Sequence, residues 1–247
     1  MKHYLVTEWN VDMFDLEWLQ ARQILFEKYT LPSVQAQLNK DFTWILVSDT
    51  RTPDVFKEVL DGYPAEVLYY NFENFDWGDP APSYEEGSIM KRSIELEYIH
   101  RPLAEYIGTP DTDYIITSRL DNDDAISVDH IDRIQKIAIQ QRNGDERFWL
   151  NLSRGYKLRL PEEEAYPINA GNNPFLSFVE PPFDIKTTYQ VCHTAARQHT
   201  DYRLCNIRAG APTWLQIVHG ANLLNRMTSV RYSVPFSDLN KRFITNA

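Results

Sequence analysis

Residues 113–124 read DYIITSRLDNDD, an apolar run that ends in an acidic turn. Its apolar part, Tyr114–Thr117, has the length and composition of a buried strand. Three aspartates follow within four residues, and neighbouring carboxylates repel one another unless a cation or solvent relieves the repulsion. In parallel α/β sheets ligands bind beyond the carboxyl ends of the strands, so the acidic turn stands where a ligand site is expected.

Further apolar runs of strand length precede this stretch and alternate with helical patterns. We predict strands over Tyr4–Thr7, Phe42–Ser48 and Glu66–Tyr70, and a long amphipathic helix over 89–106. The first helical stripe consists of Trp18, Ala21, Leu25 and Tyr29. This alternation predicts an α/β fold with a Rossmann-like, mainly parallel sheet flanked by helices.

The chain contains no linker rich in Gly or Ser, and we predict one domain over residues 1–247. Its first half, 1–125, contains the regular alternation of strands and helices. Many Pro and aromatic residues mark the second half, 126–247, where we expect a less regular region of short strands and loops.

The overall charge excludes some partners. The 247 residues include 25 Lys and Arg against 35 Asp and Glu, a formal charge of −10. Such a chain is a poor candidate for binding nucleic acid or an anionic membrane through net charge, although a local basic patch leaves peripheral membrane contact open. With two cysteines, no signal peptide and no transmembrane segment in the sequence, we expect a cytoplasmic protein with reduced thiols.

The acidic turn has the chemistry of a divalent-cation site. Residues i and i+2 of an extended turn project to the same side, so Asp121 and Asp123 can reach one cation. Mg²⁺ and Mn²⁺ prefer oxygen ligands and keep coordination positions for substrate phosphates. An EF-hand is excluded because Ile126 stands where its loop needs Gly. A solvated loop that caps the next helix, with Ser127 as its N-cap, is the structural alternative.

Four segments carry a resemblance to a known family. They are 25–34 (LFEKYTLPSV), 41–44 (DFTW), 117–124 (TSRLDNDD) and 214–223 (WLQIVHGANL). Together they resemble the rhamnosyltransferase family among nucleotide-sugar glycosyltransferases of the GT-A fold, whose metal-binding motif is DxD. The resemblance implies that residues 1–125 bind the nucleotide sugar and that 126–247 form the acceptor side.

The resemblance also implies a metal and its ligands. Asp121 and Asp123 would hold Mn²⁺ or Mg²⁺ together with the diphosphate of the donor, and His219 would complete the metal's ligands. The apolar neighbours of His219, Trp214 to Val218, equally suit a packed histidine in the core. Trp214 itself suits either the core or a platform for a sugar ring.

For the donor, a UDP- or dTDP-sugar, the resemblance implies further contacts. Asp49 would bind the base or the ribose, and the end of the first strand, from Thr7 to Asn10, would line the nucleoside pocket. Arg92 and Arg119 would bind phosphate or sugar, since a guanidinium grips phosphate oxygens in a bidentate way. A turn residue at Asp49 and a solvated helix residue at Arg92 are the structural alternatives.

Inverting transfer needs a carboxylate that removes the proton of the acceptor hydroxyl. Glu180 follows an apolar run and precedes two prolines, so it is our first candidate for this base, and Asp184 is the second. We therefore expect an inverting, metal-dependent hexosyltransferase that acts on a glycan or another hydroxyl acceptor. A metal-dependent phosphohydrolase and a non-catalytic sugar-binding protein are the two functional alternatives.

Overall fold

A computed structural model gives the fold of most of the chain. The residues it describes are 1–11, 13–72, 99–191, 193, 196, 201–219 and 232–246. Their strands, in chain order, are β1 (Lys2–Asn10), β2 (Thr43–Asp49), β3 (Glu66–Tyr70), β4 (Ile115–Arg119), β5 (Ala125–Ile126), β6 (Phe148–Leu152), β7 (Arg154–Arg159), β8 (Glu164–Asn169), β9 (Ser177–Glu180), β10 (Arg203–Ile207), β11 (Trp214–Val218) and β12 (Val234–Pro235). Their helices are α1 (Leu16–Leu25), α2 (Leu31–Gln35), α3 (Asp54–Asp61), α4 (99–107) and α5 (His130–Gln141).

The larger sheet has seven strands in the order β10-β6-β9-β4-β1-β2-β3. Six of them run in the same direction, and β9 alone runs against its neighbours β4 and β6. The predicted α/β fold, with a mainly parallel sheet and flanking helices, is therefore confirmed. The carboxyl ends of β4, β1 and β2 lie side by side, because these three strands are adjacent and parallel.

The second half is more regular than the sequence predicts. It contributes β6, β9 and β10 to the larger sheet and forms a smaller sheet in the order β12-β8-β7-β11-β5. The two-residue strand β5 directly follows the aspartate turn and pairs with the start of β11. This pairing brings the end of β11 towards the turn.

The first helix departs from the predicted stripe. Asp15 caps α1 by accepting a hydrogen bond from the backbone N–H of Trp18, 2.8 Å away. A π-helical turn, Phe26–Thr30, then joins α1 to α2. Phe26 and Tyr29 are buried, whereas Ala21 is exposed. The wider π turn changes the angular position of the residues that follow it, so a 3.6-residue period does not describe the whole segment.

One hydrophobic cluster joins the two halves of the chain. It includes Trp9 and Phe26 from the first half and Phe175 and Trp214 from the second. The Trp214 ring is fully buried, stacks on Phe175 with a centroid separation of 5.2 Å, and donates its N–H to the Leu152 carbonyl at 2.7 Å. Trp214 is thus a core residue rather than a platform for a sugar.

Within the described ranges, no helix combines the length and the apolar character needed to cross a bilayer.

Candidate functional site

The candidate site lies where β4, β1 and β2 end. Asp49 is the last residue of β2, Asn10 is the last of β1, and the turn Asp121–Asp124 follows β4 after one residue. The sheet order therefore brings together three polar segments that are far apart in the sequence. In this respect the structure agrees with the predicted edge.

Asp121 is held by an arginine from its own strand. Arg119 approaches one Asp121 carboxylate oxygen with Nε at 3.0 Å and with a terminal nitrogen at 3.0 Å. The same guanidinium lies over the Tyr189 ring, 5.4 Å from its centroid. About a quarter of the Asp121 side chain is exposed, whereas Arg119 is nearly buried. Arg119 therefore fixes an accessible carboxylate in place.

Asp123 brings together residues that are distant in sequence. Its Oδ2 accepts a hydrogen bond from Arg22 of α1 and lies 3.0 Å from Nε2 of His219. His219 directly follows β11, and its side chain is mostly buried. The structure thus brings Asp123 and His219 together and adds Arg22, which the sequence analysis did not identify.

Asn122 and Asp124 shape the turn from within. Asn122 donates its amide to the Trp9 carbonyl at 2.8 Å, which ties the turn to the end of β1. Asp124 is buried and accepts a hydrogen bond from the backbone N–H of Ile217 at 2.8 Å. Burial raises the pKa of Asp124 well above its ordinary value, and the charges of Asp123 and Asp121 raise it further. Asp124 thus joins the turn to β11.

The end of β2 holds a second polar group. Asp49 is fully buried and receives the backbone N–H of Arg51 at 2.8 Å and two bonds from its guanidinium, at 3.0 and 2.8 Å. That guanidinium lies over the Phe14 ring, 4.6 Å from its centroid. Beside it, Asn10 accepts hydrogen bonds from the hydroxyls of Ser48 and Thr52. Arg51 is therefore a further polar group at the predicted nucleoside side.

Thr7 and Arg92 are two further residues that were predicted to bind the donor. Thr7 is fully buried in the middle of β1, where its hydroxyl accepts the indole N–H of Trp44 at 3.1 Å. This position is inside the sheet, so the structure does not bring Thr7 to the edge that Asn10 occupies. Arg92 lies outside the described residues.

The two predicted bases lie elsewhere. Glu180 ends β9 and pairs with Ile115, the first residue of β4, whereas the aspartate turn follows the last residue of β4. Because β9 is antiparallel to β4, Glu180 is at the opposite edge of the sheet. Asp184 follows in the next loop, where it forms ion pairs with Lys186 and Arg147. The structure therefore does not bring either carboxylate to the aspartate turn.

The contacts of the Glu180 carboxylate are with the loop that follows its own strand and with one arginine. Its two carboxylate oxygens accept the backbone N–H groups of Lys186 and Thr187 at 2.7 and 2.9 Å, and Arg147 lies 3.6 Å away. Burial raises the pKa of Glu180 to about 7, although these three groups act in the opposite direction. The carboxylate thus closes the loop between β9 and Thr187.

The donor atoms at the turn suit a hard divalent cation shared with a substrate. Asp121 and Asp123 offer carboxylate oxygens, and His219 offers a ring nitrogen, all of which Mn²⁺ and Mg²⁺ accept as ligands. In the parts of the chain that the structure describes, no three His, Cys, Asp or Glu residues are grouped closely enough to hold a metal by themselves. The residues therefore fit a cation whose remaining ligands come from a diphosphate and water.

A comparison with protein-family models identifies the family to which the chain belongs. The model of a family described as "Putative rhamnosyl transferase" matches residues 2–75 and 88–230, which is most of the sequence. The chain belongs to this family. The matched residues of this chain include Asp49, the aspartate turn and His219. The protein is therefore glycosyltransferase-like by its family.

Solved structures to which the chain is similar include TarS from S. aureus. One match is the crystal structure of TarS residues 1–349 in complex with UDP-GlcNAc, whose sequence is 11% identical to this chain. The alignment covers 93% of this chain and 62% of that chain, with a TM-score of 0.45. A second structure of residues 1–349 covers 88% of this chain and 60% of that one, with 11% identity and a TM-score of 0.43. The chain thus spans about three fifths of these TarS fragments. No curated protein matches the sequence.

Proposed function

We propose that this protein transfers a glycosyl group, with rhamnose as the leading candidate, from a nucleoside-diphosphate sugar to a hydroxyl acceptor. Membership of the rhamnosyl transferase family supports the class of reaction. The observation that carries the proposal is the contact of Asp123 with His219, 3.0 Å apart, at the aspartate turn that follows β4. The turn lies at the carboxyl edge, where a parallel α/β sheet binds ligands.

The metal would be held by the protein and the donor together. Asp121 and Asp123 would be its carboxylate ligands, and His219, which directly follows β11, would be a third ligand beside Asp123. A bound Mn²⁺ or Mg²⁺ would neutralise the charge that develops on the departing diphosphate. Arg119 would keep Asp121 in position, since its guanidinium is itself fixed between that carboxylate and Tyr189.

The nucleoside would lie against the ends of β1 and β2. Asp49 is fully buried and holds Arg51, whose side chain is about one third exposed. The N–H groups of Arg51 would suit the carbonyl oxygens on the edge of a pyrimidine. Asn10 would help to shape this side of the pocket through its bonds to Ser48 and Thr52. We therefore propose UDP- and dTDP-sugars as the first donors to test.

The reaction we propose is a direct displacement with inversion. The acceptor oxygen forms a bond to the anomeric carbon while the bond from that carbon to the diphosphate oxygen breaks, and its electron pair leaves with the diphosphate. The proton of the acceptor hydroxyl passes to a base on the acceptor side. Neither Glu180 nor Asp184 is assigned this role, because both lie at the opposite edge of the sheet.

A ligand screen followed by turnover assays tests the proposal. In a thermal-shift screen with Mn²⁺, nucleoside diphosphates and nucleotide sugars, specific ligands should raise the melting temperature. Turnover with the best donor should release the nucleoside diphosphate and form a glycosylated product. Release of inorganic phosphate without sugar transfer would indicate a phosphohydrolase instead. Binding of a glycan with no affinity for any nucleotide would indicate a sugar-binding protein without this activity.

A further inference from the structure

Arg22 stands at the carboxylate that the proposed metal would use. It belongs to the last turn of α1, and its guanidinium lies over the Trp18 ring, 5.0 Å from the centroid. One terminal nitrogen donates to Asp123 Oδ2 and lies 3.5 Å from Asn122 Oδ1. The Arg22 side chain is about nine tenths buried. Its position is thus fixed by an aromatic ring on one side and by the aspartate turn on the other.

The two arginines balance the two carboxylates of the DxD pair. Arg119 pairs with Asp121, and Arg22 pairs with Asp123. A divalent cation entering alone would add two positive charges to a site whose acidic groups already have cationic partners. A nucleoside-diphosphate sugar entering alone would bring two negative charges to the same carboxylates. Metal and diphosphate entering together leave the charge balance unchanged.

Arg22 and a cation compete for the same oxygen. A metal that binds Asp123 Oδ2 must displace an ion pair that is mostly shielded from solvent. The displaced guanidinium then needs a new anionic partner, and its planar fork matches the oxygens of a phosphate. The diphosphate of the donor is such a partner.

We infer that Arg22 holds Asp123 in the nucleotide-free protein and moves to the diphosphate when the donor and the metal enter, so that Mn²⁺ alone binds weakly. This inference rests on the proposed function. Arg22 is accordingly a positioning residue for Asp123 in the free protein and a ligand of the donor phosphates in the complex.

Metal binding without nucleotide tests this role directly. The affinity for Mn²⁺ alone is measured from the electron paramagnetic resonance signal of the free ion, and calorimetry then measures the affinity for UDP and for dTDP at saturating Mn²⁺. Arg22→Gln should bind Mn²⁺ alone about tenfold more tightly than the wild type and bind the nucleotide about tenfold more weakly. Arg22→Lys keeps a positive charge beside Asp123, so its affinity for Mn²⁺ alone should stay close to the low affinity of the wild type.

A second variant, Trp18→Leu, keeps the test valid if Arg22→Gln does not fold. Trp18→Leu removes the ring beneath the guanidinium and should shift the affinity for Mn²⁺ alone in the same direction by a smaller factor, while circular dichroism verifies the fold of each variant. If Arg22→Gln and Trp18→Leu bind Mn²⁺ alone no more tightly than the wild type, the inference is wrong although the proposed function stands. If the wild type binds neither nucleotide with Mn²⁺, the proposed function itself fails.

Discussion

Replacing Glu180 by Gln should change how stability depends on pH. Glu180 is buried at the edge opposite the site, and burial raises its pKa from an ordinary 4.5 to about 7. Between these two values the folded protein holds a proton on Glu180 that the unfolded chain has released. The stability contributed by this group is therefore greatest below pH 4.5 and decreases as the pH rises towards 7.

The size of this effect follows from proton linkage. One proton corresponds to about 1.4 kcal/mol of unfolding free energy per pH unit, so the full range from 4.5 to 7 is worth about 3 kcal/mol. The sequence isoelectric point is about 5.1, and measurements should begin at pH 5.5 to limit association. From pH 5.5 to 7 the stability of the wild type should fall by about 2 kcal/mol relative to Glu180→Gln.

Urea unfolding followed by tryptophan fluorescence at several pH values from 5.5 to 8 provides the measurement. Burial lowers the pKa of His3 to about 3 and of His130 to about 4, and these groups change stability in the opposite direction. Both variants contain them, so the difference between the curves isolates Glu180. Asp184→Asn is the matched control, because Lys186 lowers the pKa of this carboxyl and it does not titrate in this range.

A constant difference between wild type and Glu180→Gln over this pH range would show that Glu180 does not titrate with a raised pKa, as would a difference that grows in favour of the wild type as the pH rises. The same variant also tests the base assignment. Loss of a general base typically lowers the rate by about 100-fold or more. We expect Glu180→Gln to retain turnover well above that level.

Three further predictions concern the core, the donor and the metal. Gly155→Ala should destabilise the fold by about 1–3 kcal/mol in urea unfolding, because its Cβ would lie 1.9 Å from the Trp214 ring, whereas Gly171→Ala, with 3.5 Å of space, should be nearly neutral. Asp49→Asn should weaken UDP or dTDP binding about 10- to 100-fold in calorimetry, and an unchanged affinity would contradict its role. EDTA should abolish sugar transfer and added Mn²⁺ or Mg²⁺ should restore it, so turnover that persists in EDTA would contradict a metal-dependent reaction.

Most strands of the first half could be predicted because they are buried apolar runs, whereas the edge strand β3 is only half-buried. The predicted strand Glu66–Tyr70 coincides with β3, and the run Phe42–Ser48 differs from β2 by one residue at each end. Central strands of a parallel sheet are apolar on both faces, so they stand out in the sequence. The helix after the aspartates begins with Asp129 rather than Ser127 as its N-cap, and the Ser127 hydroxyl instead donates to Asp129 at 2.6 Å.

The second half could not be predicted to the same degree. The strand β8 has Pro167 at its centre and mostly half-buried positions, so it lacks a clear apolar alternation. The direction of β9 is likewise not encoded in its short apolar run. That direction decides the position of Glu180, since a parallel strand would have placed this residue at the same edge as the aspartate turn.

The site could be predicted in part because its acidic groups lie at the ends of apolar strands. Asp49 and the turn Asp121–Asp124 follow apolar strands, so a parallel sheet must place them at one edge. The contact between Arg22 and Asp123 joins residues about 100 positions apart, and no local pattern marks it. His219 follows an apolar strand as well, but its arrival at Asp123 depends on the pairing of β11 with β5 in the second sheet.

On the proposed function, the aspartate turn binds the donor diphosphate through a divalent cation. Calorimetric titration of UDP and of dTDP in the presence of Mn²⁺, with the wild type, Asp123→Asn and the exposed control Asp145→Asn, tests it most directly. We expect the wild type and Asp145→Asn to bind one of the nucleotides equally well, and Asp123→Asn to lose that binding together with its dependence on Mn²⁺. Equal affinity in all three proteins, with or without Mn²⁺, would contradict the claim.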